Sequence, residues 1–321
     1  MTVLTLLNAP GTEIPDQLAD LGRREGVELR VVEADELGSA LPGTDVLLLW
    51  DFFSRALRSE FSRADSLKWI HAAAAGVDSL LFDELAASDV VVTNARGIFN
   101  RPIAEFVLNY ILIHAKNSLR SLEDQRTSTW NRRPTKNLAG SNAMIVGTGS
   151  IGREIAGVLS ALDVNVAGAG SHGRTGDADF GNVIDSAQLS SHLTGVDWVI
   201  NIAPLTEETT NLIDAEVFAA MESSAFFVNV GRGESVVTSD LVSALETGQI
   251  SGAGLDVFDE EPLPSDHPLW QADNVIVTPH MSGDTDGWRT RLADQFVELF
   301  DKHTAGEAFP HTVDKAVGYV R

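Results

Sequence analysis

Val146-Gly147-Thr148-Gly149-Ser150-Ile151-Gly152 is a G-x-G-x-x-G run that follows a short apolar strand candidate at residues 143–146 and opens a helical pattern. In that pattern Ile151, Ile155, Val158, Leu159 and Leu162 recur at i, i+4, i+7, i+8 and i+11, which predicts one buried helix face. Gly147 permits the tight turn, Gly149 lets the backbone approach a pyrophosphate, and Gly152 lets the helix close on the strand. Thr148, Ser150 and Ile151 complete a turn whose free N–H groups and positive helix end suit phosphates. In a chain with 27 glycines a bare glycine triplet says little. Strand, motif, helix and a next strand at 164–166 together predict a dinucleotide-binding unit.

The end of that next strand reads the coenzyme. An acidic residue to bond the adenosine ribose 2′-hydroxyl is expected about 20 residues past the glycines. Val164-Asn165-Val166-Ala167-Gly168-Ala169-Gly170 places glycine there instead, followed by Ser171, His172, Gly173 and Arg174. Hydroxyl, imidazole and guanidinium suit a 2′-phosphate, and no carboxylate stands at this strand end to repel it. The expectation is NADP as preferred coenzyme, with NAD possible. The other reading is a mobile loop whose Arg174 faces solvent.

Working outward, short β-branched or leucine-rich runs alternate with amphipathic stretches along the whole chain, the pattern of an α/β protein with parallel sheets. Strand candidates at 3–8, 29–33, 45–50, 67–72 and 90–94 form a first domain. Pro102, suited to the first turn of a helix, opens a long helical segment over 103–122. A second strand series at 143–146, 164–166, 198–202, 225–230, 253–257 and 275–278 forms the other domain. One last helical pattern, 288–303, is too short for a domain and is expected to return to the first. The predicted fold is therefore two doubly wound parallel-sheet domains, a Rossmann coenzyme domain and a flavodoxin-like substrate domain.

Composition excludes several classes. The chain has 321 residues, 44% apolar and 21% charged, ample for two domains. It has no cysteine, so it offers no disulfide, thiolate metal site or cysteine nucleophile. Apolar runs such as 46–50 and 226–230 are far shorter than a bilayer span, and no basic-then-apolar leader is present, so a cytoplasmic protein without membrane contact is expected. The 46 acidic residues against 23 basic leave a net charge of −23, which argues against nucleic-acid binding. The basic set is 18 arginines and 5 lysines, a surface like that of proteins from salt-loving organisms, although an ordinary acidic cytosolic protein has the same arithmetic.

Three further segments each follow a strand of the second domain: Val228-Asn229-Val230-Gly231-Arg232-Gly233, Leu255-Asp256-Val257-Phe258-Asp259-Glu260-Glu261-Pro262, and Thr278-Pro279-His280-Met281-Ser282-Gly283. Ligands of open α/β sheets bind at the carboxyl ends of strands, so Arg232, Glu261 and His280 are delivered to one edge. Taken singly, each is as readily a solvated turn, an acidic patch or a loop histidine. With Ala74-Ala75-Gly76-Val77-Asp78, Thr93-Asn94-Ala95-Arg96-Gly97 and Ala203-Pro204-Leu205-Thr206-Glu207-Glu208-Thr209, these segments resemble the D-isomer-specific 2-hydroxyacid dehydrogenases across nearly the whole chain.

That resemblance implies that Arg232 holds the substrate carboxylate and carbonyl, His280 is the acid/base and Glu261 its partner. It also implies that backbone near Ala75 and Gly76 holds the carboxylate, that Asp256 orients the nicotinamide carboxamide, and that Ala203, Pro204, Thr209 and Val230 line the coenzyme. A planar guanidinium grips a 2-keto acid bidentately, and a carboxylate beside His280 favours the imidazolium needed for reduction. The implied layout is a substrate domain of residues 1–100 and 284–321 clamped against a coenzyme domain of residues 101–283, through which a homodimer forms. Phe52 and Phe53, after the third strand, and Trp288 would then wall a small 2-keto or 2-hydroxy acid with an apolar tail, although core packing explains the same aromatics. Formate dehydrogenase is disfavoured because it carries glutamine at the position of Glu261. A phosphoglycerate dehydrogenase would want basic residues for the phosphate and commonly a regulatory extension. A coenzyme-sensing binding protein of the corepressor type keeps the same Arg, Glu and His, but the two domains leave no disordered segment for partners.

Overall fold

The computed structural model describes residues 1–320, which divide into two compact units, residues 1–99 with 285–320 and residues 100–284. In the first unit β1 (Thr2–Leu7), β2 (Val27–Val32), β3 (Val46–Leu49), β4 (Trp69–Ala72) and β5 (Val91–Asn94) form a wholly parallel sheet in the order β2-β1-β3-β4-β5. This is the flavodoxin-like winding. Short helices α1 (Asp16–Leu21), α2 (Leu37–Ala40), α3 (Ala56–Glu60) and α4 (Asp83–Ala86) connect the strands. β3 and β4 are buried at every residue, as strands covered on both faces must be.

The second unit opens with α5 (Asn100–Ala115) and α6 (Ser118–Arg126). The single helix expected over 103–122 is thus two, because Asn117 turns into the left-handed region (φ 52°) between them. An eight-stranded sheet follows: β6 (Asn142–Val146), β7 (Asn165–Gly170), β8 (Arg174–Asp177), β9 (Gly181–Asp185), β10 (Trp198–Asn201), β11 (Phe226–Asn229), β12 (Gly252–Leu255) and β13 (Val275–Val277). Its order is β13-β12-β11-β10-β6-β7-β9-β8, parallel except for β8, with α7 (Ser150–Ser160), α8 (Ala215–Ala220) and α9 (Thr238–Glu246) among the connections. The winding reverses between β6 and β10, the switch point at which doubly wound sheets open a crevice. In α7, Ile155 and Leu159 are buried as the periodicity requires, whereas Leu162 lies beyond the helix end and is exposed.

Helix α10 (Trp288–Thr304) belongs to the first unit. Its buried stripe is Leu292, Ala293, Phe296, Leu299 and Phe300, and Phe296 stacks on Trp69 of β4 with ring centroids 5.3 Å apart. Full burial of a side chain such as Phe296 contributes about 1.5–3 kcal/mol, which is what holds the helix to this sheet. Among the described residues no helix is long and apolar enough to cross a membrane.

Candidate active site

The strand order of the second unit brings its carboxyl-end loops together. From one edge inward they are the loop after β13 with His280, the loop after β12 with Glu261, the loop after β11 with Arg232, the loop after β10 with Ala203, and the glycine turn after β6. Glycines set their spacing. A Cβ on Gly147, whose φ is +109°, would lie 2.6 Å from the Ile202 carbonyl, so this residue lets the glycine turn abut the Ala203 loop. A Cβ on Gly233 would lie 1.8 Å from the Phe258 carbonyl carbon, so the Arg232 loop rests directly on the segment that carries Glu261.

In the glycine motif, a Cβ on Gly152 would meet the Gly147 carbonyl oxygen at 2.0 Å, the close helix–strand approach that the third glycine serves. Around Gly149, the cap of α7, nothing lies within 4 Å of that position. Thr148, Ser150 and Ile151 continue into the first turn of α7, where the leading N–H groups have no partner within the helix. An open cradle of this kind fits a pyrophosphate.

The second-strand region departs from the sequence reading. The segment after Gly170 is not one loop: Ser171, His172 and Gly173 form a short exposed link, and Arg174 begins β8, which turns back antiparallel on β9. No carboxylate stands at the end of β7, as expected, but one reaches the region from β8: Asp177 accepts from Arg174 Nε at 2.9 Å and pairs with its Nη2 at 2.8 Å. Arg153 of α7 donates to the same carboxylate at 2.9 and 3.0 Å. The Arg153 hydrogen bonds, with those of Arg174 and the Asp179 and Phe180 N–H groups, hold the Asp177 carboxyl well below the usual range. Arg174 also donates through Nη2 to Thr148 Oγ1 at 3.2 Å, which carries its guanidinium to the glycine turn. A Cβ on Gly170 would be a tight neighbour of the Thr148 hydroxyl, at 3.0 Å.

At the other end of the sheet, His280 Nδ1 lies 2.7 Å from Glu261 Oε2, and Glu261 Oε1 accepts from the Phe258 N–H at 2.9 Å. Partial burial works to raise the Glu261 carboxyl. The His280 hydrogen bond, the Phe258 N–H and the charges of His280 and Arg232 overcome it and hold the group below its ordinary value. His280 has φ 50°, a left-handed backbone that costs a non-glycine residue about 1–2 kcal/mol. The loop is held there by Asp256, whose carbonyl accepts from the His280 N–H at 2.8 Å and whose carboxylate accepts from Thr278 Oγ1, Met281 N and Ser282 N at 2.5, 2.9 and 2.8 Å. Fully buried Asp256 therefore braces the histidine loop. Two other histidines are unsuited to proton transfer near neutrality: burial, with repulsion from His311, pushes His71 down to about 3, and burial, with Lys136, pushes His114 down to about 4.

The Arg232 loop hangs on buried asparagines that sequence reading passed over. Asn201 Nδ2 donates to Asn229 Oδ1 at 3.0 Å and to Ser235 Oγ at 2.6 Å, while Asn229 Nδ2 and Ser235 Oγ donate to the Arg232 carbonyl at 3.0 and 2.6 Å. Amides at the ends of two adjacent buried strands were the available signal. Val230 is buried, with its N–H on the Asn201 carbonyl. Thr209 donates to the Pro204 carbonyl at 2.6 Å and closes the turn that begins at Ala203.

In the first unit the turn holding Ala75 and Gly76 follows β4, and Asn94 Nδ2 donates to the Ala75 carbonyl at 2.5 Å. Phe52 packs on Phe53 at 4.7 Å and edge-on to Trp288 at 6.2 Å, so this unit brings its three aromatic candidates together. Phe53 is 63% exposed, which sets it apart from a core residue.

A doubly wound sheet with a glycine cradle at its switch point, and Arg, Glu and His on the same edge, defines a dinucleotide-dependent oxidoreductase. Residues 108–282 match the D-isomer specific 2-hydroxyacid dehydrogenase NAD binding domain. A glyoxylate reductase of Thermofilum pendens is 33% identical over 267 residues, covering 80% of this chain and 78% of that protein. Among solved structures, a D-isomer specific 2-hydroxyacid dehydrogenase from Xanthobacter autotrophicus in complex with NADPH and MES superposes with TM-score 0.81 at 29% identity, covering 99% of each chain. The NADPH-dependent glyoxylate/hydroxypyruvate reductase of Sinorhizobium meliloti, in complex with NADP and sulfate, gives 0.83 at 25% identity over 99% of this chain and 100% of that one. The chain belongs to the D-isomer specific 2-hydroxyacid dehydrogenases, and is an NAD(P)-dependent oxidoreductase acting on the CH–OH group of 2-hydroxy acids.

Proposed function

We propose that this enzyme is a 2-keto acid reductase that uses NADPH in preference to NADH and forms a D-2-hydroxy acid with His280 as proton donor. When bound, the coenzyme supplies the hydride that reduces C2; the other tasks fall to this chain's residues. The glycine turn 147–152 holds the pyrophosphate, and Ser171, His172 and Arg174 receive the 2′-phosphate. Arg232 grips the carboxylate and polarises the keto oxygen. His280, with Nδ1 bonded to Glu261, passes its proton through Nε2 to the developing alkoxide oxygen. Within the first unit Phe52, Phe53 and Trp288 form one aromatic cluster, which supports a small substrate with an apolar tail.

The observation that carries this reading is the 2.7 Å His280–Glu261 pair on the sheet edge that also bears Arg232 and the glycine turn. Its test is His280→Ala, expected to cut turnover at least ~100-fold with NADPH affinity nearly unchanged. Near-normal turnover would remove His280 from the mechanism. A series of 2-keto acids of increasing chain length assays the aromatic wall. We also read the enzyme as a cytoplasmic homodimer joined through residues 101–283. Exposed Leu119 and Leu122 of α6 and Trp130, at 45%, 50% and 94%, support this. A monomer mass by light scattering would refute it.

A further inference from the structure

Tyr110 lies in the middle of α5, 168 residues before its partner Thr278, and is wholly buried. Its ring packs against β12, where a Cβ on Gly254 would come within 2.6 Å of the Tyr110 ring carbon Cγ. Its hydroxyl is 2.5 Å from Thr278 Oγ1, and Thr278 Oγ1 donates to Asp256 Oδ1 at 2.5 Å. A threonine hydroxyl has one proton, and here it goes to Asp256, so the Tyr110 hydroxyl must donate to Thr278. Burial, with the nearby charge of Asp256, raises the Tyr110 phenol and keeps it a neutral donor. Asp256 in turn accepts from the N–H groups of Met281 and Ser282, directly after the left-handed His280. One continuous chain of hydrogen bonds thus runs from the middle of α5 to the backbone that aims the histidine.

We infer that Tyr110 is a positioning residue for the reaction. Through Thr278 and Asp256 it locks the 278–282 loop in the conformation that presents His280. The inference rests on His280 being the proton donor. A donor at the head of the chain polarises each bond that follows, so its loss loosens the Asp256 clamp without creating a cavity. The positive-φ backbone of His280 is the part of the loop most dependent on that clamp.

The test compares Tyr110→Phe, Thr278→Val, the double variant and Thr278→Ser at saturating NADPH. Tyr110→Phe keeps the ring on Gly254 and removes one oxygen. It should lower kcat about 5- to 10-fold while the KM values for NADPH and keto acid stay within about twofold. Because both single variants break the same chain, the double variant should be little worse than Thr278→Val, and Thr278→Ser should recover most of the loss. A kcat in Tyr110→Phe within about twofold of wild type, or single effects that multiply in the double variant, would overturn the inference. His280→Ala, run alongside, separates the levels. If it is inactive while Tyr110→Phe is normal, only this inference falls. If His280→Ala itself turns over normally, the acid/base reading falls and the inference with it.

Discussion

Replacing Arg174 by Ala tests the coenzyme preference where the structure is most specific. The guanidinium bonds Thr148 in the glycine turn at 3.2 Å, so it lies within reach of an adenosine ribose bound there. Charge-assisted hydrogen bonds to a phosphate contribute about 1.5–3 kcal/mol. The low end applies here, because the Arg174 side chain is 40% exposed and Asp177 already engages it at 2.8 Å. At about 1.4 kcal/mol per factor of ten, Arg174→Ala should lower the ratio of kcat/KM for NADPH to that for NADH about tenfold. The loss should fall on the NADPH term alone. Asp177→Asn, which keeps an acceptor but removes the competing charge, should raise the ratio. Added KCl should lower it, as the Debye length falls from ~10 Å near 0.1 M toward ~3 Å near 1 M. The assay is initial rates with one good 2-keto acid and both coenzymes. A wild type that favours NADH, or an Arg174→Ala ratio equal to wild type, would refute the argument.

Three further outcomes follow from the same geometry. Glu261→Gln removes the charge opposite His280, so the alkaline limb of keto-acid reduction should move to lower pH; an unshifted profile would count against the pairing. In the native enzyme the Glu261 carboxyl sits below its ordinary value, so the stability this pair contributes is present above the usual glutamate range and fades as pH falls through the depressed value. Gly233→Ala should lower the melting temperature and kcat together, since its Cβ would stand 1.8 Å from the Phe258 backbone and overpacking costs about 1–3 kcal/mol or more; unchanged thermal denaturation would show that the two loops are not in contact. A net charge of −23 predicts a melting temperature that rises between about 0.1 M and about 2 M KCl, and equal values would dismiss the salt-adapted reading of the composition.

What was legible in the sequence was local. The glycine turn declares itself because strand, turn and helix are contiguous. Arg232, Glu261 and His280 could be gathered because each lies just after an apolar strand, and strand ends of a parallel sheet share an edge. What was not legible depends on distant partners. Asn117 and Asp163, both left-handed, are weaker stop signals than glycine, and the apolar residues Leu119 and Leu122 past Asn117, and Leu162 past the end of α7, continue the helical spacing. The β8–β9 hairpin is short and glycine-rich: β8 has no apolar residue, and β9 offers only the adjacent pair Val183 and Ile184. Asp256 belonged to a recognisable motif, but its attachment to the histidine loop lies 22 to 26 residues away and Tyr110 is farther still.

The second strand of the coenzyme unit shows how an absence in sequence becomes a quantity in structure. Glycine at 170 leaves no acid at the end of β7, and a Cβ there would approach the Thr148 hydroxyl to 3.0 Å. The missing charge is nevertheless restored from β8, where Asp177 lies between Arg153 and Arg174. A lone arginine at this position would attract a 2′-phosphate strongly. An arginine already held by a carboxylate is better oriented but exerts a smaller net field, since each charge partly cancels the other at the distance of the ribose. The same pair therefore sets both the direction of the preference, toward the phosphorylated coenzyme, and its modest size. It also makes Asp177, rather than any residue of β7, the position at which a single change should move the preference furthest toward NADPH.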